Sequence, residues 1–275
     1  MWHSSGSLGT VMDYLDRLEN ESIYILREAY KTIHPLGMLW SLGKDSNVML
    51  WLSRKAFLGR VPYPVVHVDT GKKFPEMYAF RDRYAERWGL NLICGECPGI
   101  ETIDPSLPPA ARSAARKTEG LKKIMEKESF AGVFAGIRRD EQAVRAKERV
   151  FSPRGFNAEW DQHDQPAEFW GQYTTRMPQG SHIRIHPLLH WREIDVWRYT
   201  KRENIPIIDL YFSRDGYRYR SLGDQDITDP VKSFASTIDD VIAELETTKV
   251  AERAGRAMDH EDEDSFERLR QHGYM

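Results

Sequence analysis

The chain has 275 residues, 40% of them hydrophobic, enough to bury one substantial core in one domain or two small ones. Its formal net charge is only −3, so no global basic field favours nucleic acid, and any anionic ligand must be met by local cations. No apolar stretch approaches the length that spans a bilayer, and the Ser/Gly-rich opening lacks the apolar core of a signal peptide; the expectation is a soluble, cytoplasmic chain with a flexible leader over 1–11.

Helical spacing of Leu15, Leu18, Ser22, Ile25, Leu26, Ala29 and Ile33 predicts a first amphipathic helix over 11–33, broken by His34-Pro35-Leu36-Gly37. A short buried strand follows at 38–41 and a helix at 47–57. Next come strand 64–68, loop 69–74, helix 75–88 and strand 90–94. Residues 99–118 read as a basic loop marked by Pro105, Pro108 and Pro109, before a helix at 119–129 and a strand at 132–137. RRDEQAVRAKE turns helical, 184–191 reads as a strand, REIDVWRYTKREN as a short helix, and a helix from 236 takes Ser236 as N-cap. Strands alternating with helices imply βαβ units: an α/β fold with a doubly wound, mainly parallel sheet, helices on both faces, and a helical or irregular C-terminal tail. The acidic run 259–264 is a solvated charge cluster by default.

Cys94 and Cys97 form a CxxC pair, a pattern that serves redox disulfides or half of a metal site. No second Cys/His cluster stands at a suitable spacing, so reduced thiols without a catalytic role are expected. His67, His182, His186 and His190 lack a repeated ligand spacing and read as structural. Trp40, Trp51, Trp191 and Trp197 read as core or interface anchors.

The stretch LWSLGKDSNVMLW, 39–51, places a glycine and a lysine between a strand and a helix, where a phosphate is commonly bound. It is not a Walker A loop: Met38 stands where that loop has its first glycine, and Asp45 where it has a hydroxyl. What remains is a turn in which Gly43 admits close backbone approach, Ser41 and Ser46 offer hydroxyls, and Lys44 supplies a charge. A plain βα turn is the competing assignment.

SLGKDS resembles the SxGKDS loop of the PP-loop ATP pyrophosphatases, enzymes of adenine-nucleotide-binding fold that cut ATP between its α- and β-phosphates. HVDTGKKFPEMYAFRDR (67–83), GIRRDEQAVRAKERVFSPRG (136–155), HPLLHWREIDVWRYTKRENIPIIDLYF (186–212) and the stretch from 247 to the end resemble, in order, motifs of the sulfate-activating branch. The whole is similar to the small, catalytic subunit of heterodimeric sulfate adenylyltransferase, from about residue 12 onward. The resemblance implies an adenine nucleotide alpha hydrolase-like (PP-loop) domain over 12–212 and a substrate- or partner-facing segment over 213–275. It further implies ATP and Mg2+, sulfate as acceptor, adenylyl sulfate and pyrophosphate as products, and a GTPase large subunit as partner, since this chain has no Walker A loop of its own.

On that reading Ser41, Gly43, Lys44 and Ser46 hold the leaving phosphates. Asp45 orients the loop or binds the magnesium ion, with an N-cap role as the competing assignment. Asp69, at a strand end, accepts from adenine or ribose, and Gly71 leaves room beside it, with a turn that merely ends the strand as the competing assignment. Among the basic residues 138–149, Arg138 and Arg139 are the expected site cations, their guanidinium forks matching phosphate and sulfate oxygens. Outer members such as Lys147 fit a solvated face, and Glu141 fits an ion pair with Arg145. Many relatives have cysteines or small residues where Asp224 and Asp226 stand here, with Asp229 following; three carboxylates would repel a dianion unless metal or arginine neutralises them. The alternatives are a phosphoadenylyl or adenylyl sulfate reductase, which the absence of a C-terminal cysteine disfavours, a transferase acting on another acceptor, and a regulatory subunit that keeps the nucleotide fold without turnover.

Overall fold

The computed structural model describes residues 12–107, 109–155, 159–161, 163–176, 180–249 and 252. The expected leader and the acidic run 259–264 lie outside them. Helix α1 (Tyr14–Thr32) begins at a reciprocal capping box: the Asp13 carboxylate accepts from the Asp16 amide at 2.7 Å, and Asp16 accepts from the Asp13 amide at 3.0 Å. Its buried face carries Leu18, Ile25, Leu26 and Ala29.

Strand β1 (Leu36–Leu39) starts two residues earlier than its apolar run suggests. Gly37 belongs to the strand and not to the preceding break, because the Phe130 ring packs against its backbone and a Cβ there would meet the ring at 3.0 Å. Helix α2 (Lys44–Ala56), strand β2 (Val65–Asp69), helix α3 (Pro75–Arg87) and strand β3 (Leu92–Glu96) follow. Helix α4 (Pro109–Lys127) begins ten residues before its expected start at 119. Pro109 occupies its first turn, where a missing N–H costs nothing, so the proline announces the helix instead of prolonging a loop.

After β4 (Gly132–Phe134), the stretch expected to be helical forms two short 3-10 turns, 139–141 and 143–147. The Arg139 amide donates to the Leu189 carbonyl at 3.1 Å, so the backbone is tied to a neighbouring segment and not to a helical ladder. Strand β5 (Phe151–Arg154), absent from the sequence reading, pairs antiparallel with β6 (His182–Ile185), and its edge position tolerates Pro153. Helix α5 (Glu193–Glu203), a small hairpin of β7 (Tyr217–Arg218) and β8 (Val231–Lys232), and α6 (Ile238–Thr247) complete the described elements. The N-cap of α6 is Thr237, one residue beyond the expected Ser236, with Asp240 closing the box.

The main sheet runs β3-β2-β1-β4-β6-β5, parallel except for β5. Alternation along each strand sends Met38, Val65 and Phe134 into one core with α1, α2 and α5, and Leu39, Val66 and Val133 into a second core with Leu121 and Ile124 of α4. Helices therefore cover both faces, as the doubly wound expectation requires. Strand order reverses at β1/β4: β2 lies on one side of β1 and β4 on the other, opening a crevice at their carboxyl ends. Val241 of α6 is buried in the main core. No described helix is long and apolar enough to cross a membrane.

Candidate active site

The crevice is floored on one side by Leu39, Val66, Val68, Leu121 and Ala135, and walled by the 41–46 turn, 135–137 and 221–223; the cavity measures about 210 Å3. An apolar floor beneath a ring of polar groups is the usual composition of a small-ligand site.

The turn is held in one shape. Leu42 takes a left-handed backbone, φ +67°, while its side chain is fully buried, a strained arrangement that packing must enforce. Ser41 Oγ donates to Ser46 Oγ at 3.1 Å, Ser46 Oγ donates to the Gly43 carbonyl at 3.0 Å, and Trp40 Nε1 donates to Asn47 Oδ1 at 2.7 Å. Gly43 is the N-cap of α2 in an ordinary extended conformation, so its small size matters for what it leaves open and not for its dihedrals. Helix α2 begins at Lys44, three residues earlier than expected, which places Asp45 inside the first turn; the N-cap role considered for Asp45 belongs to Gly43. The Lys44 amide donates to Tyr211 Oη at 2.9 Å.

Lys44 and Arg138 are both buried at this helix end. Lys44 Nζ lies 3.4 Å from Asp45 Oδ2 and pairs with Glu252; Arg138 pairs with Asp45 and Glu252, and its Nε donates to Asp140 Oδ1 at 2.9 Å. Burial opposes the charge of Arg138, yet the carboxylates of Glu252 and Asp140 outweigh it and raise its pKa above the usual arginine value. Burial likewise works against an ionised Glu252, and Arg138 with Lys44 overcome that and hold its carboxyl well below the carboxylate range. One backbone detail brings the two cations together: Gly136, just past β4, lies so close to the first turn of α2 that a Cβ would stand 3.3 Å from the Ser46 backbone.

The other expected residues sit differently. Arg139 points away from the cavity, its guanidinium donating to the Glu148 carbonyl at 3.2 Å. Arg145 lines the cavity instead and makes the expected ion pair with Glu141, although on a 3-10 turn and not on an α-helix. Asp69 and Gly71 lie beside the cavity and not in its lining. Asp69 Oδ1 accepts from the Gly71 amide at 2.8 Å and from Tyr78 Oη at 2.7 Å. These bonds and the Arg81 charge outweigh partial burial and lower the Asp69 pKa, while Gly71 adopts φ +70°, so the pair shapes its own turn.

Asp224 is fully buried; burial would raise its pKa, but Lys73 and Lys117 drive it far below the carboxylate range. Two lysines thus pair with the carboxylate expected to repel a dianion, while Asp226 and Asp229 are exposed. Cys94 and Cys97 are free thiols outside the cavity lining. His67, His186 and His190 each place Nδ1 within 3.0 Å of an oxygen, of Trp40, Arg149 and Glu21 respectively, in line with structural roles. Trp40, Trp191 and Trp197 are buried core residues.

A family profile described as phosphoadenosine phosphosulfate reductase domain matches residues 35–230. Sulfate adenylyltransferase subunit 2 of Rhizobium tropici is 41% identical, over 95% of this chain and 93% of that protein, and the protein of that name from Geobacter metallireducens is 40% identical, over 97% and 99%. The chain belongs to the sulfate adenylyltransferase subunit 2 family. Solved structures similar to this member include Candida glabrata FMN adenylyltransferase in complex with ATP, at TM-score 0.54 and 21% identity over 78% of this chain and 63% of that one. Phosphoadenylyl-sulfate reductase from Candida auris gives TM-score 0.53 and 20% identity over 82% and 100%. At such identities these two speak for the fold alone.

Sequence reading passed over Tyr211, Gly136, Glu252, Lys73 and Lys117 as site residues of this subunit 2 family member. Lys73 stands within the quoted 67–83 motif, and Gly136 directly after a strand, where a crevice glycine is worth testing. Tyr211 and Glu252 also stand within quoted stretches, 186–212 and 247 onward, but nothing local marks them, and only the tertiary fold brings them to α2.

Proposed function

We propose that this chain binds ATP in the β1/β4 crevice and transfers its adenylyl group to sulfate, releasing pyrophosphate. The observation that carries the reading is Lys44, which lines the cavity at the N-terminus of α2 beside an apolar floor, with the buried Arg138 behind the lining and joined to Lys44 through Glu252 and Asp45. A sulfate oxygen attacks the α-phosphorus while the bond to the bridging oxygen of the β-phosphate breaks, so charge grows on the departing pyrophosphate. In this reading Lys44, the Ser41 and Ser46 hydroxyls and the Asp45 and Ser46 amides meet that charge, and Arg138 adds its own from behind Lys44. Pre-set donors aimed at charge that develops only as the bond breaks favour the transition state over the ground state. The floor of Leu39, Val66, Val68, Leu121 and Ala135 suits the adenine ring.

Glu252 lies between the two cations, one carboxylate oxygen toward Lys44 and the other toward Arg138. In this reading it is displaced by the incoming phosphates. Magnesium would travel with the triphosphate: among the described residues no three metal-ligating side chains converge, and Asp45 is already held by Arg138 and Lys44. The expected role of Asp45 as a metal ligand is thereby reduced to a single carboxylate beside phosphate-bound magnesium, and no step above depends on it.

The relatives' designation as a subunit 2 fits a chain that works with a larger partner, and a GTPase is the partner class proposed, because the phosphate–sulfate anhydride is uphill to form. The test is formation of sulfate-labelled adenylyl sulfate from ATP by the full chain with its large subunit. Labelled product that requires ATP supports the reading; ATP consumption with no labelled nucleotide overturns it.

A further inference from the structure

Two groups of cations lie around the one cavity, which Lys44, Lys73 and Lys117 line and behind which Arg138 is buried. Lys44 and Arg138 gather at the β1/β4 crevice, whereas Lys73, after β2, and Lys117, on α4, line the cavity on the β2 side of the sheet. The second group is built around Asp224. Its Oδ1 accepts from Thr70 Oγ1 at 2.7 Å and Lys73 Nζ at 2.8 Å, and its Oδ2 accepts from Ser113 Oγ at 2.9 Å and Lys117 Nζ at 2.7 Å. Every donor comes from another element, so one carboxylate fixes the β2 loop, α4 and the 221–225 loop to one another. The Gln225 amide, donating to the Lys72 carbonyl at 2.8 Å, closes the same junction.

A buried ion cluster is a poor way to gain stability, because desolvating several charges costs as much as their attraction returns. Arg116 braces the same junction, its Nη1 donating to the Thr70 carbonyl at 3.0 Å. Both lysines line the cavity, whereas Asp224, which holds them, is not among the lining residues. Adenylyl transfer brings two anions into one site. The α2 terminus serves one of them, the triphosphate.

We propose that Lys73 and Lys117, held in place by Asp224, bind the second anion, the sulfate acceptor, and that Asp224 is a positioning residue that touches no substrate. The proposal rests on the adenylyl-transfer reading given above. Its consequence is that the aspartate at 224 builds the acceptor site through its lysines instead of repelling the acceptor.

The experiment is sulfate-dependent ATP–pyrophosphate exchange by the full chain with its large subunit, varying sulfate and ATP separately. Lys117→Met, Lys73→Met and Asp224→Asn should each raise the KM for sulfate at least about tenfold and leave the KM for ATP within about threefold; Lys117→Arg, which keeps the charge, should hold the sulfate KM within about threefold. A merely structural cluster would change both KM values together or neither. Equal or larger changes in the ATP KM, or an unchanged sulfate KM, overturn the assignment. Wild type that exchanges no pyrophosphate in the presence of sulfate instead overturns the adenylyl-transfer reading, and this assignment with it. Lys117 is the more exposed lysine, its side chain 25% accessible against 7% for Lys73, so its two variants decide the matter should the buried ones not fold.

Discussion

Glu252→Gln separates a carboxylate that occupies an anion's seat from one that belongs to the working site. Glu252 sits between two cations whose side chains are no more than 1% exposed, Lys44 and Arg138. If it stayed in place, a phosphate arriving about 4 Å away would meet a repulsion of about 4 kcal/mol at an effective dielectric near 20. In the proposed reading the carboxylate yields its seat to the phosphates, so only part of this opposes binding, and about 1–2 kcal/mol is expected to remain as a penalty on ligand affinity. Neutralising it should therefore tighten pyrophosphate binding by roughly tenfold. The same substitution leaves the two cations with less compensation and should destabilise the free protein, with breakage of a fully buried pair, about 3–5 kcal/mol, as the upper bound. Calorimetric titration with pyrophosphate and thermal melting of the free chain measure the two effects. Weaker pyrophosphate binding by Glu252→Gln would refute the reasoning, because it would make Glu252 a support of the occupied site.

Gly136→Ala places a methyl 3.3 Å from the Ser46 backbone and should push α2 from its seat, costing about 1–3 kcal/mol in a urea melt and at least about tenfold in exchange rate. Arg139→Ala removes a bond to the Glu148 carbonyl and no cavity-lining group, and should keep ATP–pyrophosphate exchange within about threefold of wild type; a collapse would return Arg139 to the site. Burial brings the His186 pKa down to about 4 from an ordinary 6.5, so between those values the unfolded chain takes up a proton that the folded chain refuses. Stability should thus fall as pH drops from about 6.5 toward 4, this one group removing about 2 kcal/mol by pH 5, and His186→Gln should flatten that slope by one proton in urea titrations at the two pH values.

The sheet and its helices were legible because their signals are local. The apolar runs ending at Leu39 and Val68, the glycine and lysine at 43 and 44, and the helical spacing of α1 each report on their own segment. Boundaries failed where a tertiary contact decides them. Gly37 reads as a breaker until the Phe130 ring is laid on it, and Pro109 reads as loop until α4 is seen to begin there. The 139–147 stretch has helix-forming residues, but its side chains and amides are spent on Leu189, Glu148 and the site cations. Asp224 shows the limit most clearly. Its sign is written in the sequence, yet whether it repels or organises an anion depends on Lys73 and Lys117, 151 and 107 positions away in the chain.

The central claim is that the α2 terminus, with Lys44 and Arg138, holds the pyrophosphate that leaves when sulfate attacks. Sulfate-dependent ATP–pyrophosphate exchange, compared between wild type, Lys44→Ala and Arg138→Ala in the presence of the large subunit, tests it most directly. The account predicts exchange that requires sulfate in the wild type and drops at least about a hundredfold in each variant. Exchange that survives both substitutions, or that proceeds equally without sulfate, would contradict it.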